Sequence, residues 1–344
     1  MTARAWGKPP TTGVIRASPE DFRVIERLGF EPTGSGEHLW LEVEKRAANT
    51  VFVAGELARH AGIRSGDVSF AGLKDRNAVS RQHFSLHLPG RPDPDWTGWD
   101  IGGVRILSGR RSERKIRRGR LAGNAFELVV RDLEGDRDEL DGRLAIIRDH
   151  GVPNGFGEQR FGGNNIARAH RLFRGDLRRT PSKAKRGFYL SAARSLIFNR
   201  VLAERVTRGD WNRLIDGDLA MLDGSGSIFA ADPADPEQVR RCRELDIHPT
   251  GPLVGAGDPP VSGAALTIEQ AVCDREAELV SGLRKFRMEQ QRRPLRLKVS
   301  GLEWSFPDPG CLQLRFSLPS GGYATAVLRE LVRYNDLRGD PPEL

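Results

Sequence analysis

The residues best suited by type to do chemistry lie between Val68 and Leu88, in the stretch VSFAGLKDRNAVSRQHFSLHL. Val68, Phe70 and the small residues Ala71 and Gly72 read as the end of a buried strand. Phe84, Leu86 and Leu88 then recur at every second position, the period of a half-buried strand. The polar stretch between them, Leu73 to Gln82, is expected to be a loop on a rigid scaffold, which fixes a reactive group while leaving it open to substrate. Lys74 beside Asp75 is the pair of interest. A carboxylate with a cation close by stays ionised, as a nucleophile must. The plainer reading has Asp75 capping a short helical turn from Arg76, with Lys74 simply solvated. Spacing does not choose between them.

Other elements must position this loop. Upstream, Val14 to Arg16 reads as a short strand, and Ala17 to Phe22 as a turn into the strand Arg23 to Glu26. Taken alone, Phe22 is expected in the core, where most aromatics lie. Leu39, Leu41 and Val43 alternate along another strand. Asn49-Thr50 can cap a helix whose stripe is Val53, Ala54, Leu57, Ala58 and Ala61, closed by Gly62. Downstream, Gly123 opens a strand that carries Asn124 and Phe126, and Asp136 starts a helix with Leu140, Leu144 and Ile147 on one face. Gly151 to Gly162 is a glycine-punctuated loop with two aromatics and Arg160. Such a loop lets the backbone approach a ligand closely or serves as a domain junction.

From Ile166 to about Gln291 the pattern turns helical, with helices expected at Ile166 to Phe173, Gly187 to Val206 and Thr267 to Met288. The basic cluster Arg178, Arg179, Lys183, Lys185 and Arg186 precedes the second of these, and Pro249 to Gly263 reads as a loop. Leu295 to Val299 and Leu312 to Leu318 return to strand period, so the chain is expected to rejoin its first domain before a last helix, Ala324 to Val332.

At 344 residues, two domains are the default expectation. No apolar run approaches the ~20 residues needed to span a bilayer, and the first residues lack the apolar core of a signal peptide. Three distant cysteines argue against a disulfide framework or a zinc site. A cytoplasmic chain is expected. The net charge of +8 favours a polyanionic partner. The densest basic run, Arg110 to Arg120, contains a single acid, Glu113. Local pairing cannot neutralise it, so Arg114, Lys115, Arg117 and Arg118 are candidates for phosphate contact.

Five segments, in order along the chain, resemble the TruD family of tRNA pseudouridine synthases. Pro19-Glu20-Asp21-Phe22 is similar to the family's N-terminal motif. Gly72-Leu73-Lys74-Asp75-Arg76-Asn77-Ala78 matches its Gly-x-Lys-Asp-x-x-Ala loop, and Asn124-x-Phe126 its Asn-x-Phe. Gly151 to Gly162 resembles Gly-Val-Pro-Asn-x-Phe-Gly-x-Gln-Arg-Phe-Gly, and Leu318 to Glu330 the C-terminal motif, with Tyr323 where members often have phenylalanine. The resemblance implies Asp75 as the nucleophile, kept ionised by Lys74 with Arg160 as a second cation. It implies Phe22 and Asn124 positioning the target base, and Phe126 and Tyr323 stacking on it.

The fold implied is α+β: a mixed, mainly antiparallel sheet with flanking helices, formed by residues 1–154 and 295–344, plus a mostly helical insertion, 155–294, with a cleft between the two. The reaction implied is isomerisation of a uridine in tRNA, at position 13 of the D arm, by a monomer without cofactor, metal or protein partner. In it the aspartate either attacks C1′ or removes a sugar proton to give a glycal. Two other readings compete: a non-catalytic RNA-binding protein on the same scaffold, and a metal-dependent nuclease using Asp216, Asp218 and Asp223, the sole candidate carboxylate cluster.

Overall fold

Apolar alternation writes most strands of the first half. The computed structural model describes residues 4–177 and 179–337. Its strands β1 (Thr11–Ile15), β2 (Phe22–Arg27) and β3 (His38–Arg46) precede helix α1 (Thr50–His60), and β4 (Val68–Phe70), β5 (Val79–His87), β6 (Val104–Ser112) and β7 (Gly123–Gly135) follow it. The α1 cap is as expected: Asn49 Oδ1 accepts from the Val51 N–H at 2.8 Å. Its stripe packs on Leu39, Leu41, Val43, Phe84 and Leu86 in one core. Truncating an enclosed residue such as Leu57 to alanine would cost about 2–5 kcal/mol.

The middle of the chain runs α2 (Arg137–His150), β8 (Val152–Pro153), α3 (Asn165–Arg174), α4 (Lys183–Thr207), β9 (Leu219–Leu222), β10 (Ile228–Ala230), α5 (Pro236–Arg243), β11 (Ile247–Leu253), α6 (Gly263–Arg275), α7 (Ala277–Lys285), β12 (Gln291–Pro294) and β13 (Arg296–Leu297). Then come β14 (Ser300–Ser305), β15 (Leu312–Pro319), α8 (Ala324–Leu331) and β16 (Val332–Asp336). Among the described residues no helix is long and apolar enough to cross a membrane.

The fold is α+β, with a mixed and mainly antiparallel sheet. Its ten strands are ordered β14-β15-β7-β2-β5-β3-β6, with β1 on β7 and β16, and β4 on β5. Among the described residues, only β2–β5 and β1–β16 of this sheet pair in parallel. The long β7 is the hub, because it pairs with β1 and β2 from the start of the chain and with β15 from its end. Gly123 makes that last pairing possible, since a Cβ there would overlap the Leu318 carbonyl oxygen.

The chain divides into two compact units. One, 10–138, 299–321 and 332–337, holds the ten-stranded sheet; the other is 4–9, 139–298 and 322–331. These limits differ from the expected 154/155 and 294/295, because α2, α8 and residues 4–9 are stitched to the middle segment. Arg143 donates to the carbonyls of Lys8 and Glu330, Glu330 accepts from the Ala5 and Trp6 N–H groups, and the Trp6 ring meets Trp211 edge-on.

The second unit is not wholly helical. Helices α3, α4, α6 and α7 share one core, but β10-β9-β11-β12 form a four-stranded sheet. Residues Pro249 to Leu253, read as loop for their Pro and Gly content, belong to β11. The expected helix Thr267 to Met288 is two helices that meet at Glu276, which closes α6 and opens α7. Helix α4 begins at Lys183, capped by Ser182, so Lys183, Lys185 and Arg186 fall in its first turns. Arg178 lies outside the described residues.

Candidate active site

Four ties fix the backbone around Asp75. The Lys74 N–H donates to Thr50 Oγ1 at 3.0 Å, and that hydroxyl donates to Gln82 Oε1 at 3.0 Å. Gln82 Nε2 donates to the Gly72 carbonyl at 3.4 Å, Lys45 Nζ to the Asp75 carbonyl at 2.8 Å, and the Ala47 N–H to the Ala78 carbonyl at 3.3 Å. Lys45, Thr50 and Gln82 are buried, so the frame lies under the loop. No helical turn follows Asp75, which therefore caps nothing. Its side chain keeps 23% of its surface exposed. A rigid backbone presenting a part-open carboxylate is the arrangement expected of a reactive group.

The cation beside that carboxylate is Arg16, not Lys74. Arg16 Nη2 lies 3.2 Å from Asp75 Oδ2, and its Nη1 lies 2.7 Å from Asp336 Oδ2. The Arg16 side chain is 3% exposed and its guanidinium stacks over the Phe22 ring, 3.7 Å from the centroid. It leaves the end of β1 from a residue with φ of +56°. Lys74 instead donates to Glu26 Oε1 at 2.8 Å. Lys74 therefore turns inward to enclosed Glu26, while Asp75 meets Arg16 and stays part exposed. Burial alone would raise the Glu26 carboxyl, but the His83 hydrogen bonds and the charge of Lys74 prevail and hold it below the ordinary value. Among the described residues, Asp75 has no other ion pair than the one with Arg16.

Phe22 and Phe126, 5% and 6% exposed, meet edge to face with centroids 6.4 Å apart. Phe126 also stacks on Phe316 at 5.4 Å. In this structure both rings are core, which is what Phe22 read alone predicts. Phe22 lies under Arg16 with Phe126 bracing it edge to face, and both rings leave little free face for a base. Asn124 stands opposite Glu26 across the β2–β7 ladder. Its Oδ1 is enclosed and has no hydrogen-bond partner, a rare condition that an incoming donor would relieve.

Arg160 and Tyr323 lie in the other compact unit. Arg160 Nη2 donates to the Tyr323 hydroxyl at 3.0 Å and Nη1 to Ser191 Oγ at 3.1 Å, so the hydroxyl absent from a phenylalanine has a partner. Their loop is clamped by Asn199, whose side chain bonds both the N–H and the carbonyl of Phe156 at 2.8 Å.

The run 114–118 is a surface loop pinned by one apolar residue. Ile116 is buried against Leu28, Trp40 and Ala71, and Trp40 Nε1 donates to the Arg114 carbonyl at 2.7 Å. The Gly119 N–H donates to the Ala71 carbonyl at 2.8 Å, tying the loop to the start of the Asp75 segment. Arg114, Lys115, Arg117 and Arg118 are exposed, and none forms an ion pair among the described residues.

The acidic group is committed elsewhere. Asp218 pairs with buried Arg205 at 2.9 Å, Asp223 with Lys298 at 2.8 Å and with His248, and Asp216 accepts from the Ala264 N–H. Among the described residues no group of three potential metal ligands forms, so the cluster required for a nuclease does not assemble.

The model of the family tRNA pseudouridine synthase D (TruD) matches residues 1–179 and 164–331. Named tRNA pseudouridine synthase D, a protein of Methylococcus capsulatus is 50% identical over 334 residues, 96% of this chain and 94% of its own. One of Pseudomonas aeruginosa with the same name is 46% identical over 331 residues, 96% of this chain and 93% of its own. This chain belongs to the TruD family. Membership makes it an enzyme, an isomerase. The crystal structure of a candidate TruD protein from Methanosarcina mazei, 22% identical, superposes with a TM-score of 0.70 over 96% of this chain and 95% of that one, which matches the fold. Within the TruD frame two residues of the site, Arg16 and Lys45, are not found by sequence reasoning. Neither carries a local signal. Arg16 gains its meaning from β16, the C-terminal strand whose parallel pairing sets Asp336 opposite Ile15.

Proposed function

We propose that this enzyme isomerises a uridine of tRNA to pseudouridine, at position 13 in the D arm, with Asp75 as the group that acts on the sugar. The observation that carries the reading is the Asp75 carboxylate, part exposed on a pinned loop and paired with enclosed Arg16. In the reaction the N1–C1′ bond breaks, the uracil turns, a C5–C1′ bond forms, and the C5 proton leaves as N1 gains one. Asp75 serves either by attack at C1′ or by taking a sugar proton; both use the carboxylate that Arg16 Nη2 meets at 3.2 Å.

The target base must leave its stack, at a cost of a few kcal/mol. Asn124 Oδ1, lacking a partner, is suited to accept from the imide N–H of the extruded uracil. Phe22, braced by Phe126, supports Arg16 from below, and the exposed cations of 114–118 hold phosphates beside the target. The sheet-bearing unit belongs to the catalytic domain in this reading, with 155–294 as the insertion. Family membership supports tRNA as substrate; position 13 rests on the resemblance of the motifs alone.

Mapping pseudouridine in RNA from a strain lacking this protein tests the reading. The expected result is loss at position 13 of tRNA, restored by the wild-type gene. An unchanged position 13 contradicts it.

A further inference from the structure

The Asp75 loop rests on a lysine that takes no part in the steps above. Lys45 stands in β3 opposite Ser80 of β5 and Val104 of β6, neither of them charged. It is fully enclosed. Its Nζ donates to the carbonyls of Ala48 and Asp75, at 2.7 and 2.8 Å. Two charged groups face it: Asp75, which favours the ammonium, and Lys74, which opposes it. Its strand neighbours are occupied elsewhere, Glu44 with Arg23, Arg81 and Arg105, and Arg46 with Glu20. A charge with only carbonyl partners is expensive to bury. Glutamine or an apolar residue would fill the site at lower cost, so the ammonium calls for a reason.

We propose that Lys45 is a positioning residue for the isomerisation: its ammonium clamps the Asp75 backbone from below and so fixes the angle at which the carboxylate meets the sugar. This rests on Asp75 being the reacting carboxylate. Burial pushes the Lys45 pKa down from 10.5 to about 8, the charge of Asp75 only partly opposing it. The folded enzyme therefore releases this proton at lower pH than the unfolded chain. From this group alone, fold stability rises with pH between about 8 and 10.5. Neutralising Lys45 weakens the clamp without unfolding the protein.

The test is single-turnover conversion of a tRNA transcript at saturating enzyme, from pH 6 to 9.5, for wild type, Lys45→Met, Lys45→Arg and Asp75→Asn, with tRNA affinity and melting temperature measured in parallel. The wild-type rate should fall above about pH 8 while the melting temperature holds. Lys45→Met should convert about 10- to 100-fold more slowly at pH 7, bind tRNA within threefold, and lose the alkaline fall. Lys45→Arg should recover part of the rate and carry no fall near pH 8. Lys45→Met within threefold of wild type while Asp75→Asn is inactive overturns the inference alone, and so does a flat wild-type profile should Lys45→Met fail to fold. Turnover by Asp75→Asn overturns the underlying reading of Asp75 instead.

Discussion

Two loops of the sheet-bearing unit handle charge in opposite ways. Around Asp75 the cations are enclosed and committed: Arg16 to Asp75 and Asp336, Lys74 to Glu26, Lys45 to two carbonyls. In the loop 113–120 the cations are exposed and without ion pairs among the described residues, and buried Ile116 with hydrogen bonds to the backbone of Glu113, Arg114 and Gly119 holds the chain in place. The first arrangement ties the loop to enclosed groups at several points. The second leaves charge free for a partner whose phosphates vary in position. On the proposed reading, the committed cations set rate and the uncommitted cations set affinity. Each loop can be broken without the other, which separates the two roles.

The largest effect is expected on the committed side. Arg16→Met should lower the single-turnover rate by about 10²–10³-fold, the usual loss for one preorganised electrostatic partner, with tRNA affinity within a few-fold. A rate near wild type would show that Asp75 needs no cation there.

Lys74→Met comes next, and its main effect should be on stability. It strands the buried Glu26 carboxylate, which typically costs about 3–5 kcal/mol, read as a lower urea midpoint at unchanged slope. The double variant with Glu26→Gln should recover much of the loss. Glu26 is held below its ordinary 4.5, so the stability it contributes is complete above about pH 4.5 and is lost as the pH falls through the folded-state value. In Lys74→Met this acid loss should shrink. A variant of full stability would contradict the buried pair.

The open loop should give the smallest effect on rate. Replacing Arg114, Lys115, Arg117 and Arg118 by serine should weaken tRNA binding and reduce the slope of log affinity against log salt by about 1 for each phosphate no longer held. The rate at saturating tRNA should stay within a few-fold. An unchanged slope would remove this loop from the RNA-binding surface.

Much of this was legible in the sequence, and the failures have physical causes. Alternation in Leu39–Leu41–Val43 and in Phe84–Leu86–Leu88 located β3 and β5, and Asn49 located the start of α1. The Asp75 loop and the return of the chain into the first sheet through Leu312 to Leu318 were equally plain. The partner of Asp75 was not. Adjacency in sequence nominated Lys74, but that side chain is taken by Glu26, and the observed partner follows a strand 59 residues away in sequence. Phe22 and Phe126 were legible as aromatics, whereas their mutual packing depends on the β2–β7 register. The sheet of the second unit was hidden by Pro249, Gly251 and Pro252. Pro249 lies in the pairing with β9 and Pro252 in the pairing with β12. Each is in register with one named strand only, and the Pro249 carbonyl still accepts from the Leu295 N–H at 2.8 Å.

The central claim is that one carboxylate carries the chemistry, and the most direct measurement is single-turnover pseudouridine formation by Asp75→Asn on a tRNA transcript. Conversion is predicted to fall by at least about 10³-fold, with tRNA affinity within a few-fold of wild type. Conversion at more than a small fraction of the wild-type rate, with the fold intact, would contradict it.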